Sequence, residues 1–110
     1  MIKKLVTIAA LAMLLGSPAS YAGVTFITGN SLAMSCEKGD AGFDDGFCYG
    51  YVIGVFDTIQ GELICAPDGV TINQVESIVK KYLKENPAKL HLTARSLATG
   101  ALIEAFPCNK

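Results

Sequence analysis

Four cysteines, Cys36, Cys48, Cys65 and Cys108, constrain the fold of this chain more than any other feature. An even number of cysteines in a small domain reads as a disulfide framework in an oxidising compartment. In a reducing one it reads as a metal or redox site. The start of the chain chooses between them. Lys3 and Lys4 give a positive beginning, Leu5 to Leu15 is almost wholly apolar, and Gly16-Ser17-Pro18 breaks that run. Ser20-Tyr21-Ala22 then sets small residues at the two positions a signal peptidase reads. The apolar run is well short of the ~20 residues that cross a bilayer. Residues 1–22 therefore read as a secretory signal peptide cleaved near Ala22/Gly23, and residues 23–110 as an exported domain.

That domain has 88 of the 110 residues, enough for one hydrophobic core. It carries seven basic and ten acidic side chains, with no basic stripe, which argues against a nucleic-acid partner. No second long apolar run follows, so no membrane contact is expected after cleavage. No two cysteines stand close enough for a zinc knuckle, and the single histidine, His91, is remote from all four. Two disulfides and no metal are expected.

The helix signals are most complete from Thr71. Thr71 and Gln74 form a capping box, Val70 and Val75 a hydrophobic staple, and Ile72, Val75, Val79 and Tyr82, with Ile78 alongside, follow at helical spacing. Lys80, Lys81 and Lys84 gather where the helix dipole favours cations. Asn86-Pro87 ends this helix and is expected to start another, with Asn86 as cap and Pro87 in the first turn. The next apolar stripe is Leu90, Ala94, Leu97, Ala98, Ala101, Leu102 and Ala105. The two helices form an antiparallel hairpin over about 72–105.

The segment Phe47 to Phe56 is aromatic and β-branched, and composition alone would allow a buried strand. Helix is favoured by the continuous face of Cys48, Val52, Val55, Phe56, Ile59 and Leu63. Gly46, Gly50 and Gly54 also recur every fourth residue, a ridge expected to pack tightly inside the molecule. The spacing predicts a central helix over about 46–62, and a shorter one over about 30–38 with Asn30 as cap and Gly39 as terminator. The expected fold is all-α: a small four-helix up-and-down domain stapled by two disulfides. In that arrangement Cys36 ends the first helix where Cys48 begins the second, and Cys65 lies near the end reached by Cys108. Of the three connectivities, Cys36–Cys48 and Cys65–Cys108 need the least distortion.

The same residues offer few candidates for a catalytic or metal site. Asp40, Asp44 and Asp45 fail the spacing of a calcium loop, since Gly42 occupies a ligand position. Asp57 and Glu62 have no nucleophile or metal ligand beside them, and His91 with Ser96 or Ser77 lacks the strand–turn–helix elbow of a hydrolase. No catalytic residue, cofactor or enzymatic activity is expected.

The order of motifs does point to a family. Thr28-Gly29-Asn30-Ser31-Leu32, Cys36, and Cys48-Tyr49-Gly50-Tyr51-Val52-Ile53-Gly54-Val55 with Asp57 are followed by Cys65-Ala66-Pro67-Asp68-Gly69-Val70-Thr71 with Gln74. Tyr82-Leu83, Asn86-Pro87, Ala101-Leu102 and Ala105-Phe106-Pro107-Cys108 complete the set. In this order they resemble the Rap/Tai family, the immunity proteins of type VI secretion amidase effectors. The resemblance implies a small all-helical periplasmic protein, often a homodimer. Such a protein binds and sterically blocks a papain-like (NlpC/P60-type) peptidoglycan amidase delivered by sibling cells. The matching residues specify the fold, so the partner-binding face is read from physical character instead. Lys80, Lys84, Glu85, Asn86 and Lys89 form a mixed-charge helix end with a rigid proline turn, a preorganised element able to enter a groove. The alternative function is a periplasmic acid-stress holdase that dissociates at low pH to expose apolar surface.

Overall fold

The computed structural model describes residues 24–39 and 41–109; the expected signal peptide and its junction at Gly23, together with Asp40 and Lys110, lie outside the described residues. Among the described residues the chain forms four α-helices and no strand: α1 (Gly29–Lys38), α2 (Phe43–Ile59), α3 (Ile72–Glu85) and α4 (Ala94–Ala105). They form the expected all-α, up-and-down bundle, in which every helix touches the other three.

Local chemistry sets the ends of each helix. At α1 the cap is Thr28, not Asn30: its hydroxyl accepts the Ser31 N–H at 3.1 Å. Gly39 stops the helix at φ 55°, the left-handed conformation glycine adopts most cheaply. Helix α2 begins and ends three residues before the expected span. Asp44 and Asp45 lie in its first turn, where the dipole favours acids, and Asp44 is tied back to α1 by Lys38 and Ser35. It stops at Ile59 because the Gln60 backbone is extended and its amide clasps Ala66 twice. Its Nε2 donates to the Ala66 carbonyl at 3.0 Å, and its Oε1 accepts the Ala66 N–H at 3.1 Å. Gly61 completes the exit at φ 85°.

Helix α3 opens on the expected capping box. The Thr71 hydroxyl accepts the Gln74 N–H at 3.2 Å, and the Gln74 amide oxygen accepts the Thr71 N–H at 2.8 Å. The expected start of the fourth helix at Pro87 is corrected. Asn86 does not cap forward; its side chain donates back to the Tyr82 carbonyl at 2.8 Å. Pro87–Lys89 is a single 3-10 turn, and α4 begins only at Ala94, where the Thr93 hydroxyl accepts the Ser96 N–H at 3.2 Å. The intervening chain is diverted by the N-terminal segment, which takes its carbonyls. Gly29 N–H donates to the Leu92 carbonyl at 2.7 Å and Asn30 N–H to that of Leu90 at 2.8 Å.

The core contains Leu32, Cys36, Cys48, Val52, Ile59, Ile64, Val75, Val79, Leu83, Leu97 and Leu102, each buried, with Ala94, Ala98 and Ala101 where α4 approaches its neighbours. Each large side chain taken wholly from water contributes ~1.5–3 kcal/mol. Leu63, Ile72 and Ala105, expected inside, are exposed. The disulfides are Cys36–Cys48 and Cys65–Cys108, closing 12 and 43 residues. On the chain-entropy argument they contribute about 3 and about 4 kcal/mol. The glycine ridge is a second correction. A Cβ at Gly46, Gly50 or Gly54 would meet nothing within 4 Å, so the ridge faces outward and joins no internal packing.

Candidate partner-binding face

The mixed-charge end of α3 and the turn behind it come together on one side of the bundle. Lys80 and Lys84, one helical turn apart, stand with Lys81 on one wall of a cleft of about 400 Å³ between α1 and α3. Glu37 stands on the other wall, and Ala33, Cys36 and Leu83 also line it. Lys80 is half-buried and pairs with Glu76 at 2.7 Å, while Lys81 lies 3.8 Å from Glu85. Lys84 and Glu85 are exposed. Asn86 is half-buried and holds the end of the helix: besides its side-chain bond to Tyr82, its N–H donates to the Leu83 carbonyl at 3.4 Å. Lys89 lies outside the cleft with its ammonium 6.0 Å from the centre of the Tyr82 ring. The structure thus joins Lys80 and Lys84 in one concavity, sets Glu85 beside Lys81, and gives Asn86 a structural task.

The turn from Asn86 to Thr93 is fastened at both ends. Lys89 N–H donates to the Asn86 carbonyl at 3.0 Å and Leu92 N–H to that of Lys89 at 2.9 Å. His91 meets the Ala88 carbonyl through Nδ1 at 3.1 Å. From outside, the bonds from Gly29 and Asn30 are joined by Ala94 N–H donating to the Ile27 carbonyl at 2.9 Å, around an antiparallel Thr28–Thr93 bridge. A Cβ on Gly29 would collide with the Leu97 side chain and come within 2.8 Å of the Leu90 carbonyl oxygen. Sequence reasoning missed this fastening, because the spacing Gly29…Leu90 carries no local signal.

The groove between α2 and α4 is different. Gly50, Tyr51, Gly54, Leu63, Arg95 and Ile103 line part of an open groove of about 850 Å³ along α2 and α4. Burial pushes the Tyr51 phenol above its ordinary value, an effect Arg95 partly offsets. Phe43, Phe47 and Tyr51 stack in a row along α2, with ring centres 6.3 and 6.1 Å apart.

The acidic, serine and histidine side chains are dispersed. Asp44 accepts from Lys38 at 3.0 Å and from Ser35 at 3.3 Å; the Lys38 hydrogen bond is the main cause holding its carboxyl below the ordinary value. Asp57 and Glu62 are exposed, and the Ser96 hydroxyl accepts from Thr93 at 2.7 Å within the α4 cap. Among the described residues no group of three His, Cys, Asp or Glu is arranged to hold a metal ion. No described helix is long and apolar enough to cross a membrane.

The family model of the Rap1a immunity proteins matches residues 28–108, from the cap of α1 to the last cysteine. The chain belongs to the Rap1a immunity protein family. No curated protein matches it. The span shared with the Rap1a family is the stapled bundle itself, including the turn, the cleft and both disulfides. Membership makes this an immunity protein, of a generally non-enzymatic family that acts by binding a cognate effector. The stapled cysteines fit an exported member of that family.

Proposed function

We propose that this protein is a periplasmic immunity protein that binds and sterically inhibits a type VI secreted peptidoglycan amidase of the papain-like NlpC/P60 class. It protects the cell from intoxication by its siblings. Residues 1–22 are removed as a signal peptide, and the mature chain, residues 23–110, oxidises in the periplasm and acts as a homodimer without catalysis. The observation that carries this reading is the Rap1a family match over the whole stapled domain. Two disulfides support an oxidising compartment. The ordered motifs from Gly29 to Cys108 support the amidase as target.

Inhibition by occupation needs an element that loses little freedom on binding. The end of α3 and its fastened turn meet that need, with Lys80, Lys84, Glu85, Asn86 and Lys89 as the partner-binding residues. The open α2–α4 groove is the natural contact between two copies, since bare glycines let helices approach closely. Titration of the oxidised mature chain into an NlpC/P60 amidase tests the reading, with calorimetry for binding and a peptidoglycan-cleavage assay for inhibition. Near-stoichiometric binding that abolishes cleavage is expected. Absence of binding to every candidate amidase would overturn the amidase reading.

A further inference from the structure

Charge is segregated along this chain. Residues 39–79 carry seven acidic side chains and no lysine, arginine or histidine. Residues 80–95 carry Lys80, Lys81, Lys84, Lys89 and Arg95 against Glu85 alone. The fold concentrates this basic segment, because three of its lysines share the α1–α3 cleft. A dipole role at the helix C-terminus would be met equally well by lysines pointing into open water. Here they stand over an apolar floor of Ala33, Cys36 and Leu83, each less than a tenth exposed. Lys80 and Lys81 already have carboxylate neighbours within α3. Lys84 is exposed at the cleft and enters no ion pair among the described residues.

We propose that this cleft seats an acidic segment of a protein partner. A partner aspartate or glutamate engages Lys84, and an adjacent apolar side chain covers Ala33, Cys36 and Leu83. The inference rests on the immunity reading for the partner's identity, and adds the chemistry by which the partner is held. Complementarity of sign carries it: Lys84, on this wall and in no ion pair among the described residues, attracts a segment of opposite charge. The concavity of the cleft favours a peptide over a lipid surface. A flat membrane surface would leave the recessed apolar floor uncovered.

Two measurements test the seat, one of them independent of any amidase. In the first, the ¹⁵N-labelled oxidised mature chain is titrated at low salt with the blocked pentapeptide Glu-Leu-Asp-Leu-Glu and with its neutral counterpart Gln-Leu-Asn-Leu-Gln. Amide shifts centred on Ala33, Cys36, Leu83 and Lys84 are expected with the acidic peptide only. They should weaken with added salt, vanish in Lys84→Glu and persist in Arg95→Glu, a control outside the cleft lining. Equal shifts with both peptides, shifts centred elsewhere, or indifference to Lys84→Glu would overturn the seat. Tighter binding to phosphatidylglycerol vesicles than to the peptide would also overturn it, in favour of a lipid surface. In the second, Lys84→Glu is compared with the unmodified chain against an amidase that the latter inhibits. A loss of affinity of about tenfold, with an unchanged thermal transition, is expected for reversal of an interfacial charge. Unchanged affinity overturns the seat and leaves the immunity reading standing. Failure of the unmodified chain to bind any amidase overturns the immunity reading, and the peptide titration then decides the cleft alone.

Discussion

The junction between α1 and the α3–α4 turn is filled to contact, whereas the outer face of α2 is empty around its glycines. At Gly29 there is no room for one added carbon; at Gly46, Gly50 and Gly54 nothing lies within 4 Å of it. Both regions are built from glycine on a helix, yet only the first uses glycine to let two segments of one chain meet. The close approach at Gly29 lets main-chain bonds reach Leu90 and Leu92, and those bonds fix the turn. The open ridge stabilises nothing within the monomer, and mid-helix glycine costs about 0.5–1 kcal/mol relative to alanine. A fixed turn and an open groove suit different tasks: the first a preorganised contact with an effector, the second approach by another helix.

The contrast depends first on the covalent tie between α1 and α2. Replacing Cys36 and Cys48 by alanine removes about 3 kcal/mol of loop-closure stabilisation. Because both residues are buried, the lost packing adds a further penalty. Urea unfolding should register this as the largest single effect, and amide exchange should show the Gly29 contacts opening with α1. A loss well under 3 kcal/mol would mean that packing alone holds α1.

The two kinds of glycine are separated by one substitution at each. Gly29→Ala forces Leu90 and Leu97 apart and is expected to cost ~1–3 kcal/mol, the range for overpacking. Gly50→Ala meets open space and should instead raise monomer stability by about 0.5–1 kcal/mol. Thermal melts of both variants test the opposite signs directly. Light scattering adds a second readout: if the α2 face joins two copies, Gly50→Leu with Gly54→Leu yields monomer from dimer while the fold persists. The same double variant remaining dimeric would remove that face from the interface.

The smallest effect concerns the Lys38–Asp44 pair beside the α1–α2 loop. The Asp44 carboxyl is held below its ordinary value of 3.8, chiefly by its hydrogen bond to Lys38. A lowered folded-state value means that the stability it contributes is present above the ordinary carboxylate range. That stability is lost as pH falls through the folded-state value. Asp44→Asn should therefore be slightly less stable than the unmodified chain at pH 7, with the difference closing at strongly acid pH. Paired melts at pH 7 and pH 2 measure it, and a constant difference would show that the charge is not its source.

Much of this was legible in the residues. The capping box at Thr71 and Gln74, the stop at Gly39 and the alternation of apolar positions in α3 and α4 are local signals, because caps and stripes act within a few residues. The disulfide pairing followed from helix order once export was inferred. The turn after α3 is not legible locally, because Asn86-Pro87 is equally compatible with a new helix and with a 3-10 turn. The deciding partners, Gly29 and Asn30, lie some sixty residues earlier. The lysines at 80, 81 and 84 were legible as a charged helix end; that they flank a cleft with an apolar floor depends on α1 lying alongside.

By itself, then, the sequence determined the elements, the capping box of α3, the disulfides and the family motifs, since these depend on short-range sterics, hydrogen bonding and an inferred redox compartment. Tertiary structure decided which glycines are enclosed, where the last helix starts and which charges share a cavity. Those outcomes are settled by contacts between segments distant in the chain, and a hydrophobic stripe states that a face must be covered without stating by what.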